Sequence, residues 1–148
     1  LCLSALMDEV HRRYTEYADS FGVVLAVRYG GEAEVYADPE KIWSVFDNLI
    51  NNALRYTPQN GTITVQARRA GPGGVEVTVA DTGCGIGPDA LPHIFERYYK
   101  EDQSRGKGGE SGLGLYIVKS NIEGMGGSVR AESTPGAGAA ISFLLKAR

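Results

Sequence analysis

The chain has 148 residues, a net charge of −3, and hydrophobic and charged residues at 43% and 22% of the total. These values fit one globular domain with its own core, and the slight negative charge gives no reason to expect nucleic acid or an anionic membrane as a partner. The most apolar stretch, residues 21–27, is far shorter than the roughly 20 residues that span a bilayer. We therefore expect a cytoplasmic domain without membrane contact. Cys2 and Cys84 lie far apart and lack metal-ligand spacing, so in this setting we expect reduced thiols and not a disulfide.

The first half of the chain predicts two helices with two strands between them. Apolar residues recur every three or four positions over residues 3–18, which is typical of an amphipathic helix, here ending near Gly22. Residues 23–29 and 34–37 are rich in β-branched and aromatic residues and flank two glycines, so they predict a hairpin at the edge of a sheet. A capping aspartate followed by proline then begins a long amphipathic helix over residues 38–56.

The polar face of this second helix carries a stripe of candidate ligands. Asn48 and Asn52 lie one turn apart, and Arg55 and Tyr56 continue the stripe, although asparagine is a poor helix former. Amide oxygens can bind Mg²⁺, a guanidinium group can neutralise phosphate, and a tyrosine ring can pack on a base. The alternative interpretation is a polar helix face that contacts only solvent.

The second half predicts the centre of the sheet, a third helix and a final hairpin. Two alternating segments joined by a glycine-rich turn indicate central antiparallel strands, and the third helix ends near Gly124. The predicted ranges are 62–68 and 75–80 for the central strands, 88–91 and 93–98 for short helical turns, and 128–133 and 139–145 for the final hairpin.

Two glycine clusters are the main candidates for a binding site: Asp81 to Gly87, DTGCGIG, and Ser111 to Leu115, SGLGL. Asp81 directly follows a β-branched run, so it ends a buried strand, where its carboxylate can accept a hydrogen bond from an exocyclic amine such as that of adenine. The second cluster opens a helix, whose N–H groups and positive dipole end can bind phosphate. The clusters indicate a site that binds a base at one end and phosphate at the other. For either cluster alone, a tight turn is the alternative.

The segment before the second cluster predicts a mobile lid. Residues 100–110, KEDQSRGKGGE, contain no apolar residue and several glycine or serine breakers. The basic residues Lys100, Arg105 and Lys107 stand just before the predicted phosphate site, as expected of a lid. Neither GxxxxGK[ST] nor GxGxxG occurs, which argues against a P-loop or a dinucleotide-binding fold.

Four sequence boxes carry a resemblance to a known family. An N-box pattern matches residues 48–56, a first glycine box residues 81–87, a phenylalanine box residues 95–99 and a second glycine box residues 112–115. In this order and over nearly its whole length, the chain resembles the catalytic, ATP-binding domain of a bacterial sensor histidine kinase. This group lies within the wider family of gyrase-type and chaperone ATPases.

The resemblance implies a fold and a set of site residues. The fold is a two-layer α/β sandwich, with a mixed, mostly antiparallel sheet of about five strands, covered on one face by three helices, and a mobile ATP lid. The implied roles are Asn52 on Mg²⁺, Asn48, Arg55 and Lys100 as catalytic groups near the phosphates, Tyr56 on the adenine and Asp81 on its amine. Further implied nucleotide contacts are Gly83, Gly85, Ile86, Gly87, Tyr99, Ser111, Gly112, Leu113, Gly114 and Leu115.

One position separates phosphoryl transfer from hydrolysis. Hydrolysing members that resemble gyrase carry a glutamate one turn before the Mg²⁺-binding asparagine, whereas this chain has Asn48, and an amide cannot act as a general base. The resemblance therefore implies transfer of the γ-phosphoryl group of ATP to a histidine of a phosphoacceptor and dimerisation domain, and then to a response regulator. The alternatives are a serine kinase of the anti-sigma type and a non-catalytic nucleotide-sensing module.

Some features of sensor kinases are missing or altered. The sequence contains no His box followed by Arg and Pro, so we expect the phosphoacceptor and sensor domains to lie elsewhere and the isolated domain to be monomeric. Glu110 stands where the lid usually has a small residue, and Ala139 stands where a Ser or Thr often supports the adenine-binding aspartate. Both changes could weaken the binding of ATP.

Overall fold

The computed structural model describes residues 1–97, 99 and 113–148. Within these residues the chain forms three α-helices, five β-strands and one 3₁₀ turn, arranged as a helix layer on a sheet, so the predicted α/β sandwich is confirmed. The predicted lid lies outside the described residues. No helix in this part of the chain is long and apolar enough to cross a membrane. The elements are α1 (Leu3–Asp19), β1 (Val24–Tyr29), α2 (Pro39–Tyr56), β2 (Thr62–Arg69), β3 (Gly74–Asp81), the 3₁₀ turn (Leu91–His93), α3 (Gly114–Gly124), β4 (Ser128–Thr134) and β5 (Gly138–Lys146).

The five strands form one mixed sheet in the order β1-β2-β3-β5-β4. β1 runs parallel to β2, with Val24 opposite Thr62, and the other neighbouring pairs are antiparallel. β2 and β3 lie inside the sheet and β4 and β5 form the final hairpin, both as predicted. The predicted end of the third helix near Gly124 is also confirmed. The sequence predicts helical turns over residues 88–91 and 93–98. In the described part of this segment, the structure has a 3₁₀ turn at Leu91–His93.

Alternate residues of the strands face the helices and form the core. On β3, Val75, Val77 and Val79 are at most 4% exposed. Phe46 of α2 meets Phe143 of β5 edge to face, with ring centroids 5.7 Å apart. Full burial of a side chain of this size contributes about 1.5–3 kcal/mol. The inward-facing rows therefore hold the helix layer on the sheet.

Helix α2 is fixed at both ends by hydrogen bonds. Asp38 accepts a hydrogen bond from the N–H of Glu40 at 2.9 Å, and Pro39 occupies the first helical turn, as the sequence predicts. At the other end, the buried Thr57 donates from its Oγ1 to the carbonyl of Ala53 at 2.6 Å. These bonds define where α2 begins and ends, and the burial of its apolar face against the sheet sets the direction of its polar stripe.

The predicted hairpin of residues 23–29 and 34–37 is wrong. β1 pairs in parallel with β2, and residues 34–36 pair with the end of β5 and the residues after it, with Val35 opposite Ala147. The physical reason is burial: β1 packs against α1, whereas Val35 is fully buried beside the residues that follow β5. The two glycines between the segments allow the chain to turn but do not determine which strand pairs with β1.

The other face of the sheet carries a charged network. Glu76 on β3 lies between Arg68 on β2 and Arg130 on β4, with carboxylate to guanidinium distances of 3.0 and 2.9 Å. Its side chain is only 14% exposed, and the hydrogen bonds from Arg68 and Arg130 hold its pKa below the ordinary value. Next to this network, the hydroxyls of Thr78 and Ser142 share a hydrogen bond of 2.8 Å. On this face, ion pairs and a hydrogen bond between hydroxyl groups thus join the strands, whereas helices cover the other face.

Candidate functional site

Asp81 is the last residue of β3 and is fixed by backbone donors. It continues the inward-facing row of Val75, Val77 and Val79 beyond the core. Its Oδ1 accepts hydrogen bonds from the N–H of Gly83 at 2.8 Å and from the N–H of Ala139 at 3.4 Å. Burial raises the pKa of the carboxyl, and the two N–H donors partly oppose this shift. The carboxylate expected to bind adenine therefore has a defined position.

Ala139 contributes to this arrangement through its backbone N–H and not through its side chain. At position 139 the resemblance predicts a serine or threonine that supports the aspartate, and the sequence has alanine there. Here the backbone N–H of Ala139 contacts the carboxylate directly, at 3.4 Å. Because this donor belongs to the main chain, the contact does not depend on the side chain at position 139.

The first glycine box lies against the C-terminal end of α2. A Cβ added to Gly83 would overlap the backbone carbonyl of Tyr56, so only glycine allows this approach. Tyr56 itself is half-buried on the same helix end. The contact brings Asp81 and Tyr56, two of the predicted adenine ligands, to one end of α2.

The same glycine box is also joined to the turn between β4 and β5. The carbonyl of Cys84 accepts a hydrogen bond from the N–H of Gly136 at 2.8 Å. The N–H of Ile86 donates to the Oγ of Ser133 at 2.6 Å. Ser133 was not predicted from the sequence, although a polar residue two positions after Ala131, on the inward side of β4, could have indicated it. The box is therefore held on two sides, by α2 and by the final hairpin.

Asn48 connects α2 with the second glycine box. Its Nδ2 donates to the carbonyl of Ser44 at 2.8 Å, which orients the amide. Its Oδ1 faces the start of α3, where it would lie 3.1 Å from a Cβ added to Gly114. The predicted asparagine stripe and the predicted phosphate-binding helix end are thus in contact.

The remaining predicted residues fall into three groups. Asn52 and Arg55 are half-buried on α2 beside Asn48, and Tyr99 contacts His93, with ring centroids 5.5 Å apart. Gly85 is buried, and Ile86, Gly87, Leu113 and Leu115 are half-buried at the two glycine boxes. Lys100, Ser111 and Gly112 lie outside the described residues.

The donor set fits a Mg²⁺ ion that arrives with a polyphosphate. Among the described residues, no group of three His, Cys, Asp or Glu side chains could hold a metal ion. Asn52 offers one amide oxygen, and Mg²⁺ is usually bound by few protein ligands together with phosphates and water. We therefore expect Mg²⁺ to depend on the nucleotide for its binding.

The fold and the site agree with comparisons to known proteins. Residues 37–148 match the histidine kinase-, DNA gyrase B- and HSP90-like ATPases, and the chain belongs to this family. It is 34% identical over 145 residues to the sensor protein SrrB of Staphylococcus aureus, an alignment that covers 97% of this chain and 24% of that protein. The chain thus spans about a quarter of the curated relatives it matches.

Solved structures support the same assignment. The mycobacterial sensor histidine kinase MprB has a TM-score of 0.86 and 25% identity, with 100% of this chain and 97% of that chain covered. Full-length ShkA in complex with AMPPNP has a TM-score of 0.83 and 29% identity, with 97% of this chain and 29% of that chain covered. These matches confirm the resemblance to the ATP-binding domains of sensor histidine kinases.

Proposed function

We propose that this chain binds Mg-ATP and transfers its γ-phosphoryl group to a histidine of a separate phosphoacceptor and dimerisation domain. Its family membership and its similarity to sensor kinases support this function. The observation that carries the proposal is that α2 touches both glycine boxes, through Tyr56 against Gly83 and through Asn48 against Gly114. The acceptor domain would belong to the same or a sister chain of a membrane-anchored sensor, and a response regulator would then receive the phosphoryl group.

At the adenine end, an ionised Asp81 accepts a hydrogen bond from the exocyclic amine, because a carboxylate is purely an acceptor. The hydrogen bond from Gly83 keeps this acceptor in one position, which favours adenine over bases without an amine there. The ring of Tyr56 packs on the base. Selectivity for adenine therefore depends on the β3 end and the α2 end together.

At the phosphate end, the N–H groups of Gly114 and Leu115 and the positive dipole end of α3 attract the phosphates. Arg55 adds positive charge, and Lys100, Ser111 and Gly112 remain predictions from the sequence. When bound, Mg²⁺ reduces the negative charge of the phosphates, and Asn52 supplies one amide oxygen to it.

Asn48 favours transfer over hydrolysis. Its amide cannot remove a proton from water, and its Nδ2 is already engaged with the carbonyl of Ser44. The domain then acts by positioning ATP and stabilising charge, while the attacking nitrogen comes from the acceptor domain. We therefore expect little turnover of ATP by the domain alone.

Calorimetry with and without Mg²⁺ tests the nucleotide site. Asn52→Ala should weaken the binding of ATP chiefly when Mg²⁺ is present. Asn51→Ala is the matched control, because the exposed Asn51 accepts a hydrogen bond from Tyr17 of α1 instead. The metal assignment fails if wild type and Asn52→Ala have the same Mg²⁺ dependence.

Incubation with labelled ATP and a panel of histidine-containing dimerisation domains tests the transfer. The expected product is an acid-labile, base-stable phosphate on the added domain. It should form slowly, because no tether raises the effective concentration of the two domains. Stable label on His11 or His93 of this chain contradicts the proposal, and acid-stable label on a serine supports a serine kinase instead.

A further inference from the structure

Ser133 makes two hydrogen bonds through one hydroxyl group. It lies near the end of β4, on the inward-facing side with Val129 and Ala131, and is half-buried. Its Oγ accepts a hydrogen bond from the N–H of Ile86 at 2.6 Å and donates to the carbonyl of Gly138 at 3.1 Å. The hydroxyl therefore joins the first glycine box to the start of β5.

Gly138 is in turn closely packed on Asp81. Its φ of +104° is unfavourable for other residues, and a Cβ there would overlap the backbone carbonyl of Asp81. The next residue, Ala139, donates its N–H to the Asp81 carboxylate. A shift of Gly138 would therefore displace the backbone of Asp81. It would also displace the N–H of Ala139, which donates to the Asp81 carboxylate.

A second hydrogen bond between the glycine box and the hairpin turn is between backbone groups. It joins the carbonyl of Cys84 and the N–H of Gly136, so a side-chain substitution does not remove it directly. Ser133 differs, because a single substitution deletes its hydroxyl. The link between the glycine box and the start of β5 can thus be tested by substituting one residue, Ser133.

We propose that Ser133 is a positioning residue for adenine recognition, which holds the glycine box and the start of β5 at the spacing that Asp81 requires. This inference rests on the proposed function, because it takes Asp81 as the acceptor of the adenine amine. Ser133 need not touch the nucleotide. It acts through Ile86 on one side and through Gly138 and Ala139 on the other.

The test compares two nucleotides in Mg²⁺-free calorimetry: ADP, and inosine diphosphate, which has a carbonyl in place of the amine. Ser133→Ala should bind ADP about three- to tenfold more weakly, as expected for the loss of a neutral hydrogen bond, and should lose part of its preference for ADP. Ser133→Thr keeps a hydroxyl and should restore both values. Ser128→Ala, an exposed serine at the other end of β4, is the matched control and should leave both unchanged.

The outcomes separate this inference from the proposed function. If wild type binds ADP and inosine diphosphate equally, the proposed role of Asp81 fails. If wild type prefers ADP and Ser133→Ala keeps the same preference, the positioning role fails and the hydroxyl is only structural.

A measurement on wild type alone covers the case in which Ser133→Ala does not fold. The amide proton of Ile86 should exchange slowly with solvent, because its N–H is bonded to Ser133. Exchange as fast as in an unstructured peptide would overturn the proposal.

Discussion

The two faces of the sheet are built from the same strands but stabilised in different ways. On β3, Val75, Val77 and Val79 face the helices and are almost fully buried, whereas Glu76 and Thr78 between them face the other side. The helix-covered face depends on apolar burial, which does not require any side chain to be ionised. The open face depends on ion pairs, whose strength varies with pH and salt.

The comparison also explains where the candidate site lies. Asp81 takes the next inward position after Val79, at the point where the helix-covered row leaves the core. The position is partly buried, and two backbone N–H groups compensate the carboxylate for part of the water it loses. A polar group at the margin of the core can thus be both held in place and accessible to a ligand.

The largest effect should come from the covered face. Phe46→Ala removes a fully buried ring from its contact with Phe143 and should cost about 3–5 kcal/mol of unfolding free energy. Leu144→Ala on the open face, where the side chain is 36% exposed, should cost much less. Urea denaturation followed by far-UV circular dichroism measures both. Equal losses would contradict the distinction between the faces.

Next in size is Gly83→Ala, at the margin of the covered face. The new methyl group meets a backbone carbonyl, which cannot move as a side chain would, so we expect a loss of about 2–3 kcal/mol and weaker ATP binding. Gly73→Ala is the control, because a Cβ there meets no atom within 4 Å. Urea denaturation and calorimetry check the pair. Unchanged ATP affinity in Gly83→Ala would show that the Tyr56 contact does not shape the site.

On the open face, Glu76→Gln should cost about 1.5 kcal/mol at neutral pH. This is the low end of the range for charged hydrogen bonds, because Arg68 and Arg130 are both largely exposed. The pKa of Glu76 is lowered in the folded protein, so its contribution is fully present above the ordinary value of 4.5 and is lost as pH falls through the lowered value. Urea denaturation at several pH values measures the difference between wild type and variant. A difference that does not shrink in acid would contradict the ion-pair account.

The control for this prediction is Glu9→Gln on α1. Glu9 pairs with Arg12 and Arg13 of its own helix at the surface, where solvent screens the charges. Its loss should therefore affect stability less than the loss of Glu76. A larger loss of unfolding free energy in Glu9→Gln would mean that the position of Glu76 between two strands does not increase its contribution to stability.

The smallest effect concerns the pH dependence of stability at Asp81. Burial raises the pKa of its carboxyl above the ordinary 3.8, so the folded state binds this proton more tightly than the unfolded state. Wild type should therefore lose stability relative to Asp81→Asn as pH rises from about the ordinary value through the raised one, and the difference should stay constant above it. Urea denaturation between acidic and neutral pH measures this. A difference that changes in the opposite direction would mean that the hydrogen bonds outweigh burial.

Local sequence features predicted much of this fold. Asp38 followed by proline marks the start of α2, and Asp81 after a β-branched run marks the end of β3, because capping and strand patterns depend on neighbouring residues. The contacts of Asn48 with Gly114 and of Tyr56 with Gly83 could be expected only through the resemblance, since their partners are far apart in sequence.

The partner strand of β1 could not be predicted from the sequence. A segment such as β1 has the same pattern of apolar residues in a hairpin as in a parallel pair, and the choice depends on how α1 covers it. The contact of Ser133 with the glycine box was missed for a similar reason. Its hydrogen bond with Ile86 joins residues 47 positions apart, so it depends on how the glycine box packs on the final hairpin.

The parallel pairing of β1 with β2 has a consequence for the order of folding. α2 is the crossover between these strands, so β1 can join the sheet only after residues 30–61 have folded back across it. The antiparallel pair β2 and β3 is joined by a short turn and closes a much smaller loop. We expect this pair to form early and the docking of α2 to be the slow step of refolding. Because α2 carries Asn48, Asn52 and Tyr56, a refolding chain should acquire its affinity for nucleotide only in that last phase.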